Sequence, residues 1–303
     1  MTTLMTRETG QVEVPVSGAP RRGGGARLVA RLGGGAVQVL LALVALFWLV
    51  PVFGLFVASL RDEQANTSSG WWTIFTKPAE LTAGNYASLL ADSTVLRSFL
   101  NTVYIAVPST VLVIVISALA AYALSWIDFP GRDWLTLVVV ALLVMPIQVA
   151  LIPVAKLFGA LDLFGTITGV VLFHVAFGLP FAIFLLRNFF TGIPRDLIEA
   201  ARMDGAKEWL IFRRVILPIG KPAIASLTIF QFLWVWNDLL VALVFADPDS
   251  APLTVALRSQ LRQFGSNIDL LASGAFLSMV VPLVAFLAFQ RYFVQGVLAG
   301  STK

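Results

Sequence analysis

Cysteine is absent from the 303-residue sequence, and histidine occurs once, as His174. The first absence excludes a disulfide framework, a thiolate metal site and a cysteine nucleophile. The second excludes a histidine-built metal site and any histidine pair. Charge is also scarce. Asp, Glu, Lys and Arg make up 13% of the chain, against about 25% in a soluble domain. Hydrophobic residues make up 58%. A soluble core does not account for that shortfall, so lipid takes the place of water over much of the surface. A nucleotide-binding loop is missing too. The Gly220-Lys221 pair is followed by Pro222, where a phosphate loop needs Ser or Thr. No Ser-His arrangement or carboxylate pair stands out as an enzyme site. The basic residues lie between apolar runs and form no stripe or arm, which argues against a nucleic-acid partner.

What is there is long apolar stretches. A spanning helix needs about 20 mainly apolar residues. Six stretches qualify: residues 37–60, 99–126, 134–158, 166–186, 222–246 and 275–293. The fold class that follows is all-α, a polytopic membrane protein. Pro51, Pro108, Pro146, Pro153, Pro180 and Pro282 fall inside these spans. Each would cost about 3 kcal/mol in a soluble helix. In lipid the backbone is expected to remain helical through them, having no better way to satisfy its polar groups. The first span reads as an uncleaved anchor, because its apolar run is too long for a signal and no small-residue cleavage site precedes Arg61-Asp62-Glu63.

Lys and Arg set the orientation. With the N-terminus inside, 15 of the 21 basic residues fall on inner segments and six on outer segments or outer helix ends. Both termini are therefore expected in the cytoplasm. Residues 1–36, rich in Gly, Pro and Arg, read as a disordered cytoplasmic tail. Residues 37–296 form the six-helix domain, and residues 297–303 a short cytoplasmic tail. In the outer loop 61–98, the Trp71-Trp72 pair suits either an interfacial anchor or a small packed loop core.

The longest inner loop, 187–221, contains IPRDLIEAARMDGAKEWLIFRRVILPIGKPA from Ile193. Pro194 suits a first helical turn, and Asp196 favours the positive N-terminal end. Gly205 can take the left-handed conformation that ends a helix. A second helical run follows with Trp209, Leu210, Phe212 and Ile216. Pro218 and Pro222 are expected to break it and turn the chain into the fifth span. The result is a short helix, a glycine elbow and a second surface helix. It could be a connector resting on the headgroups, or a knob that docks into a partner.

This loop resembles the EAA signature of membrane subunits of ATP-binding-cassette importers. Glu199, Ala200, Ala201, Gly205, Leu217 and Pro218 fall at the spacing E-A-A-x3-G-x9-I-x-L-P, with Val215 at the Ile position. FLWVWNDLL from Phe232, the C-terminal FQRYFVQGVLAGSTK and AAYALSWIDFPGR from Ala120 are similar to the maltose-type sugar permeases. LLRNFFTGIPRDLIEAARMDGA and FQFLWVWNDLLVA lean towards permeases for α-glucosides. The resemblance implies a type I importer permease fold in the cell membrane and a coupling helix formed by Glu199, Ala200, Ala201, Asp204 and Gly205. It implies four kinds of partner beside the bilayer: a homologous second permease, a cytoplasmic ATPase dimer, an external solute-binding protein and a sugar. It implies no cofactor on this chain, with ATP and Mg held by the ATPase. The outer loop tip, Gln263, Phe264, Gly265, Ser266, Asn267 and Ile268, would meet the binding protein, and the C-terminal tail would touch the ATPase. The alternative is a secondary transporter or channel driven by an ion gradient, which explains the spans but not the loop.

Trp234, Asn237 and Asp238 are spaced i, i+3 and i+4, and so would share one helix face, with Phe230 a turn earlier. Aromatic faces can stack on a sugar's C–H surface, and an amide and a carboxylate can bind its hydroxyls. The same polar residues could instead join helices within the bundle, as could His174 and Gln148. The absence of cysteine makes the topology directly testable. A single cysteine at Ser266 should react with an impermeant thiol reagent added outside, and one at Ser301 should be protected; the reverse pattern would invert the orientation.

Overall fold

The computed structural model describes the backbone of residues 24–260 and 268–301, and the side chains of residues 35–260 and 268–290. Residues 1–53 and 54–303 form separate units. The first is the larger part of a long helix, α1 (Gly24–Ser59), whose side chains from 35 to 53 are all exposed. The helix starts inside the stretch expected to be a disordered tail. The run ARLVARL from Ala26 contains good helix formers, and extending an existing helix costs far less than nucleating one.

The second unit opens with a folded loop: α2 (Glu63–Ser68), two 3-10 turns (Trp71–Phe75 and Pro78–Glu80) and α3 (Gly84–Ala91). Arg61 organises it. Its side chain is fully buried and meets Glu80 Oε2 at 2.8 Å. It also donates to Ser69 Oγ and to the carbonyls of Ala65, Ser69 and Gly70. Asn85 Nδ2 ties α3 back to the carbonyls of Ser59 and Arg61, at 3.0 and 2.8 Å. A buried cation is tolerated only when it is paired and hydrogen-bonded, and here both terminal nitrogens find acceptors while the Nε does not. The tryptophan pair divides between its two readings. Trp71 packs so closely on Gly54 that an added Cβ there would lie 2.8 Å from its Nε1, whereas Trp72 is exposed.

The bundle is built on α4 (Ser93–Trp126) and α7 (Ile167–Thr191), the most extensive helix pair; α10 (Leu217–Trp236) packs on both and on α13 (Ile268–Ser301). Small residues let the axes approach: Ala106 and Ala121 of α4 and Ala182 of α7 are fully buried, beside Val113, Val170, Leu186 and Leu227. At 1.5 Å per residue α4 is about 50 Å long, enough to cross a bilayer core with a turn or more to spare. α13 continues to Ser301, through most of the segment expected to be a C-terminal tail.

Two spans differ from expectation. The third is not one helix. α5 (Arg132–Leu143) and α6 (Ile147–Ala160) meet at a 103° bend. Pro146 lies between them with extended backbone. It offers no N–H to the preceding turn and pushes Met145 out of the helical region. Pro51, Pro108, Pro153, Pro180 and Pro282 do stay inside helices. Among the described residues, five helices can therefore cross a membrane, or six if the bent pair counts as one span.

The fifth span begins earlier than expected, at Glu208. α9 (Glu208–Ile211), a π turn (Phe212–Ile216) and α10 run on as one 29-residue apolar helix. The second surface helix is thus the start of the span itself. Pro218 and Pro222 do not break it. Pro218 lies in the first turn of α10, and the π turn before it, where Leu217 N–H reaches the Phe212 carbonyl, relieves the crowding a proline imposes on the preceding turn. The helix stops at Trp236. α11 (Leu240–Phe245) and α12 (Leu253–Ser259) follow.

Because Arg61 carries the folded loop, Arg61→Met should open it. Trypsin added from outside should then cut at Lys77 about tenfold faster than in the wild type, while the bundle stays intact. An unchanged cleavage rate would show that the loop is held by other contacts.

Candidate functional site

The loop after α7 forms α8 (Arg195–Met203). Ile198 is its anchor, buried beside Ile211 and Ile216 of the following helix. The C-terminal end closes as a Schellman motif. Gly205 N–H donates to the Arg202 carbonyl and Ala206 N–H to the Ala201 carbonyl, both at 3.0 Å. Gly205 has φ of +79°, as the motif requires. Glu199, Ala200, Asp204 and Gly205 are exposed and Ala201 is half-buried. Leu197, Met203 and Trp209 are exposed around the same elbow, Met203 at 83%.

A latch ties the elbow to the bundle. Glu208 accepts from the Tyr122 hydroxyl on α4 through one carboxylate oxygen. Its other oxygen accepts from Arg202 Nε at 3.0 Å, and Arg202 also donates to the Trp126 carbonyl at 2.8 Å. The bond to Glu208 raises the Arg202 guanidinium pKa further above its ordinary high value. One carboxylate therefore joins α8, the start of the fifth span and the end of α4. No sequence motif signals Tyr122, Arg202 and Glu208 as partners, because α4 and the elbow are far apart in the chain.

The second feature is a groove of about 270 Å³ between α7 and α10, lined by Phe177, Gly178, Phe181, Phe230, Gln231 and Trp234. Phe230 and Trp234, expected on one helix face, both line this groove. Asn237 and Asp238 do not join them, because the helix ends at Trp236 and the expected face stops there. Asn237 Nδ2 donates to the Leu233 carbonyl at 2.8 Å. Asp238 caps the start of α11, accepting from Val241 N–H at 3.3 Å and Ala242 N–H at 3.0 Å. Its Oδ2 also lies 3.6 Å from His174 Nε2. His174 is buried behind the groove, edge-on to Trp234 with ring centroids 5.3 Å apart. Gln148 is exposed on α6. Of the expected outer tip, Gln263, Phe264, Gly265, Ser266 and Asn267 lie outside the described residues, and Ile268 begins α13 as an exposed side chain. Phe177, Phe181 and Gln231 were not singled out from the sequence. An apolar run gives no sign of which phenylalanines face a groove.

This is a multi-pass helical membrane protein with an inter-span elbow latched to its bundle. Residues 84–299 match the family described as binding-protein-dependent transport system inner membrane component, and the chain belongs to that family. It is 49% identical over 272 residues to the osmoprotective compounds uptake permease protein GgtD of Synechocystis sp., covering 88% of this chain and 91% of that protein. It is also 49% identical over 253 residues to the α-glucoside transport system permease protein AglG of Rhizobium meliloti, covering 80% and 67%. The trehalose transport system permease protein SugB of Mycobacterium tuberculosis is 33% identical, covering 88% and 96%. The fold is shared with a chain of a bacterial importer of the polysaccharide alginate, with a TM-score of 0.75 and 24% identity over 87% of this chain and 97% of that one.

A Cβ on Gly205 would meet nothing within 4 Å, so any penalty there is backbone strain and not crowding. Gly205→Val should cost about 1–2 kcal/mol, read as a lowered unfolding temperature of the purified protein. Gly205→Asn should cost less, because Asn tolerates the left-handed region. Equal loss in both variants would contradict this account.

Proposed function

We propose that the chain is a permease subunit of an ATP-driven sugar importer, and that its substrates are α-glucosides or close relatives of them. The observation that carries this reading is 49% identity, over 272 and 253 residues, to permeases named for osmoprotective compounds and for α-glucosides. More distant relatives are named for arabinooligosaccharides, diacetylchitobiose and trehalose, so a carbohydrate is the common class. The chain would form half of the pathway beside a homologous permease. A solute-binding protein would deliver the sugar from outside to the face carrying Gln263 to Ile268. ATP and Mg would be bound by a separate cytoplasmic ATPase dimer.

In this reading the elbow is the coupling element. Its exposed Leu197, Met203 and Trp209 provide an apolar knob, and Glu199 and Asp204 provide charge around it. Ala200 and Ala201 let a partner surface come close. Both termini and the elbow lie on the cytoplasmic side, as the distribution of Lys and Arg supports. The ion-gradient alternative has no support from the family, which is one of binding-protein-dependent systems.

The test is co-purification with the ATPase and sugar-stimulated ATP hydrolysis by the assembled importer. Glu199→Lys and Gly205→Val should leave the chain inserted in the membrane. Both should weaken ATPase attachment or uncouple hydrolysis from import, with the larger loss in Gly205→Val. Wild-type behaviour of both variants would defeat the coupling role and leave the elbow a connector.

A further inference from the structure

We infer that the 3-10 turn Trp71–Phe75 folds back along the end of α1 and seats Trp72 and Phe75 in the headgroup layer of the bilayer, so that lipid anchors the folded loop. The inference rests on the membrane-spanning fold and not on the sugar reading. The position of the turn along α1 carries it. α1 ends at Ser59, and Arg61-Asp62-Glu63 follow at once. Asp62 and Glu63 are exposed, which puts this helix end at the water side of the membrane. The chain does not then rise away from the bilayer. Trp71 returns to Gly54, where an added Cβ would lie 2.8 Å from the indole Nε1 and 2.9 Å from its Cδ1. At 1.5 Å per residue, Gly54 lies about 7.5 Å below Ser59. The headgroup layer on each side of the hydrocarbon is about 5–7 Å thick. The Trp71 indole therefore reaches the inner edge of that layer, and its turn lies beside the span and not above it.

Arg61 fixes the turn at this depth. Its Nη1 donates to the carbonyls of Ser69 and Gly70, at 3.3 and 3.2 Å, and Thr73 Oγ1 donates to the same Gly70 carbonyl at 2.8 Å. The start of the turn is thereby bound to the residue that follows the helix end. Within the turn the side chains divide. Trp71 faces α1, whereas Trp72 is 62% and Phe75 73% exposed. The Trp72 indole is held outward. It lies over Gly70, where an added Cβ would collide with its ring, and Trp71 meets it edge-on with ring centroids 6.1 Å apart.

Lipid suits this face better than another protein does. At headgroup level an indole keeps its ring among apolar groups while its N–H finds polar ones, which is why tryptophan concentrates there. Water on both rings would leave that gain unused. A protein partner would need more surface than the turn offers. Each aromatic side chain covers about 150–250 Å², so the pair falls well short of the roughly 800 Å² that a specific interface buries on one partner.

The experiment uses the assembled importer, its partner chains freed of cysteine, in proteoliposomes of phosphatidylethanolamine and phosphatidylglycerol. This chain has no cysteine of its own, so Trp72→Cys, Phe75→Cys and Glu63→Cys each carry a single nitroxide label. The first two variants each leave the other aromatic in place, and neither removes a buried side chain. Electron paramagnetic resonance then reads collision of the label with oxygen, which concentrates in lipid, and with a nickel chelate, which stays in water. The oxygen-to-nickel ratio at positions 72 and 75 should be severalfold higher than at position 63. Equal ratios at all three positions would put the turn in water and overturn the anchor. Low collision with both reagents at positions 72 and 75 would show that another chain, the second permease or the binding protein, covers the turn, and would overturn it as well. Either of those results leaves the sugar reading standing.

Discussion

Inside a bilayer every backbone N–H and C=O must find a partner within the protein, and this chain interrupts its helices in several places. Several of these interruptions are closed locally. Where the fifth span stops at Trp236, Asp238 accepts from the first free N–H groups of α11, and the Thr254 hydroxyl donates to the Asp238 carbonyl at 2.6 Å. Outside the spans the same local closure recurs: at the elbow, the Schellman bonds of Gly205 and Ala206 satisfy the Arg202 and Ala201 carbonyls of α8. In the folded loop, a single guanidinium takes up the carbonyls that the short helices leave over. The polar residues of this sparsely charged chain are thus spent largely on its backbone. Asp238 accepts through both carboxylate oxygens, and Asn237 gives one amide hydrogen to the Leu233 carbonyl.

The sequence carried the architecture well where a signal was local or long. The apolar runs gave the spans, and the spacing of Pro194, Asp196 and Gly205 gave α8 and its left-handed end. Proline was harder to read. The same residue type lies within α4, α7 and α13 yet ends α5 at Pro146. Whether a missing N–H is tolerated depends on what packs around the freed carbonyl, which is tertiary information. The helical face assigned to Trp234, Asn237 and Asp238 failed for a related reason. Periodicity assumes that a helix continues, and the polar pair that seemed to extend the face is the pair that ends it. Asn and Asp compete with helical backbone for hydrogen bonds, a local signal that could have placed the break.

Residues joined across large chain separations were not legible at all. The latch of Tyr122, Arg202 and Glu208 and the packing of Gly178 on Gln231 each depend on two helices being brought side by side. Neither Glu208 nor Gln231 belongs to any pattern in the sequence: one is a charged residue just after the elbow, the other a polar residue within an apolar run. Their roles follow from what faces them.

The continuous helix from Glu208 to Trp236 gives these separate features a mechanical relation. At 1.5 Å per residue it is about 43 Å long, with the latch at one end and Gln231 and Trp234 near the other. A rigid rod of that length would turn a small rotation at the elbow into a displacement of the groove wall. The π turn at Phe212–Ile216 is where such a rod has its weakest regular hydrogen bonding, so bending there would absorb part of the movement. Tyr122 bears on the opposite question. It ties Glu208 to α4, which is itself packed along α7, and α7 carries the other wall of the groove. The latch thus joins the elbow to both walls, to α10 through the continuous helix and to α7 through α4.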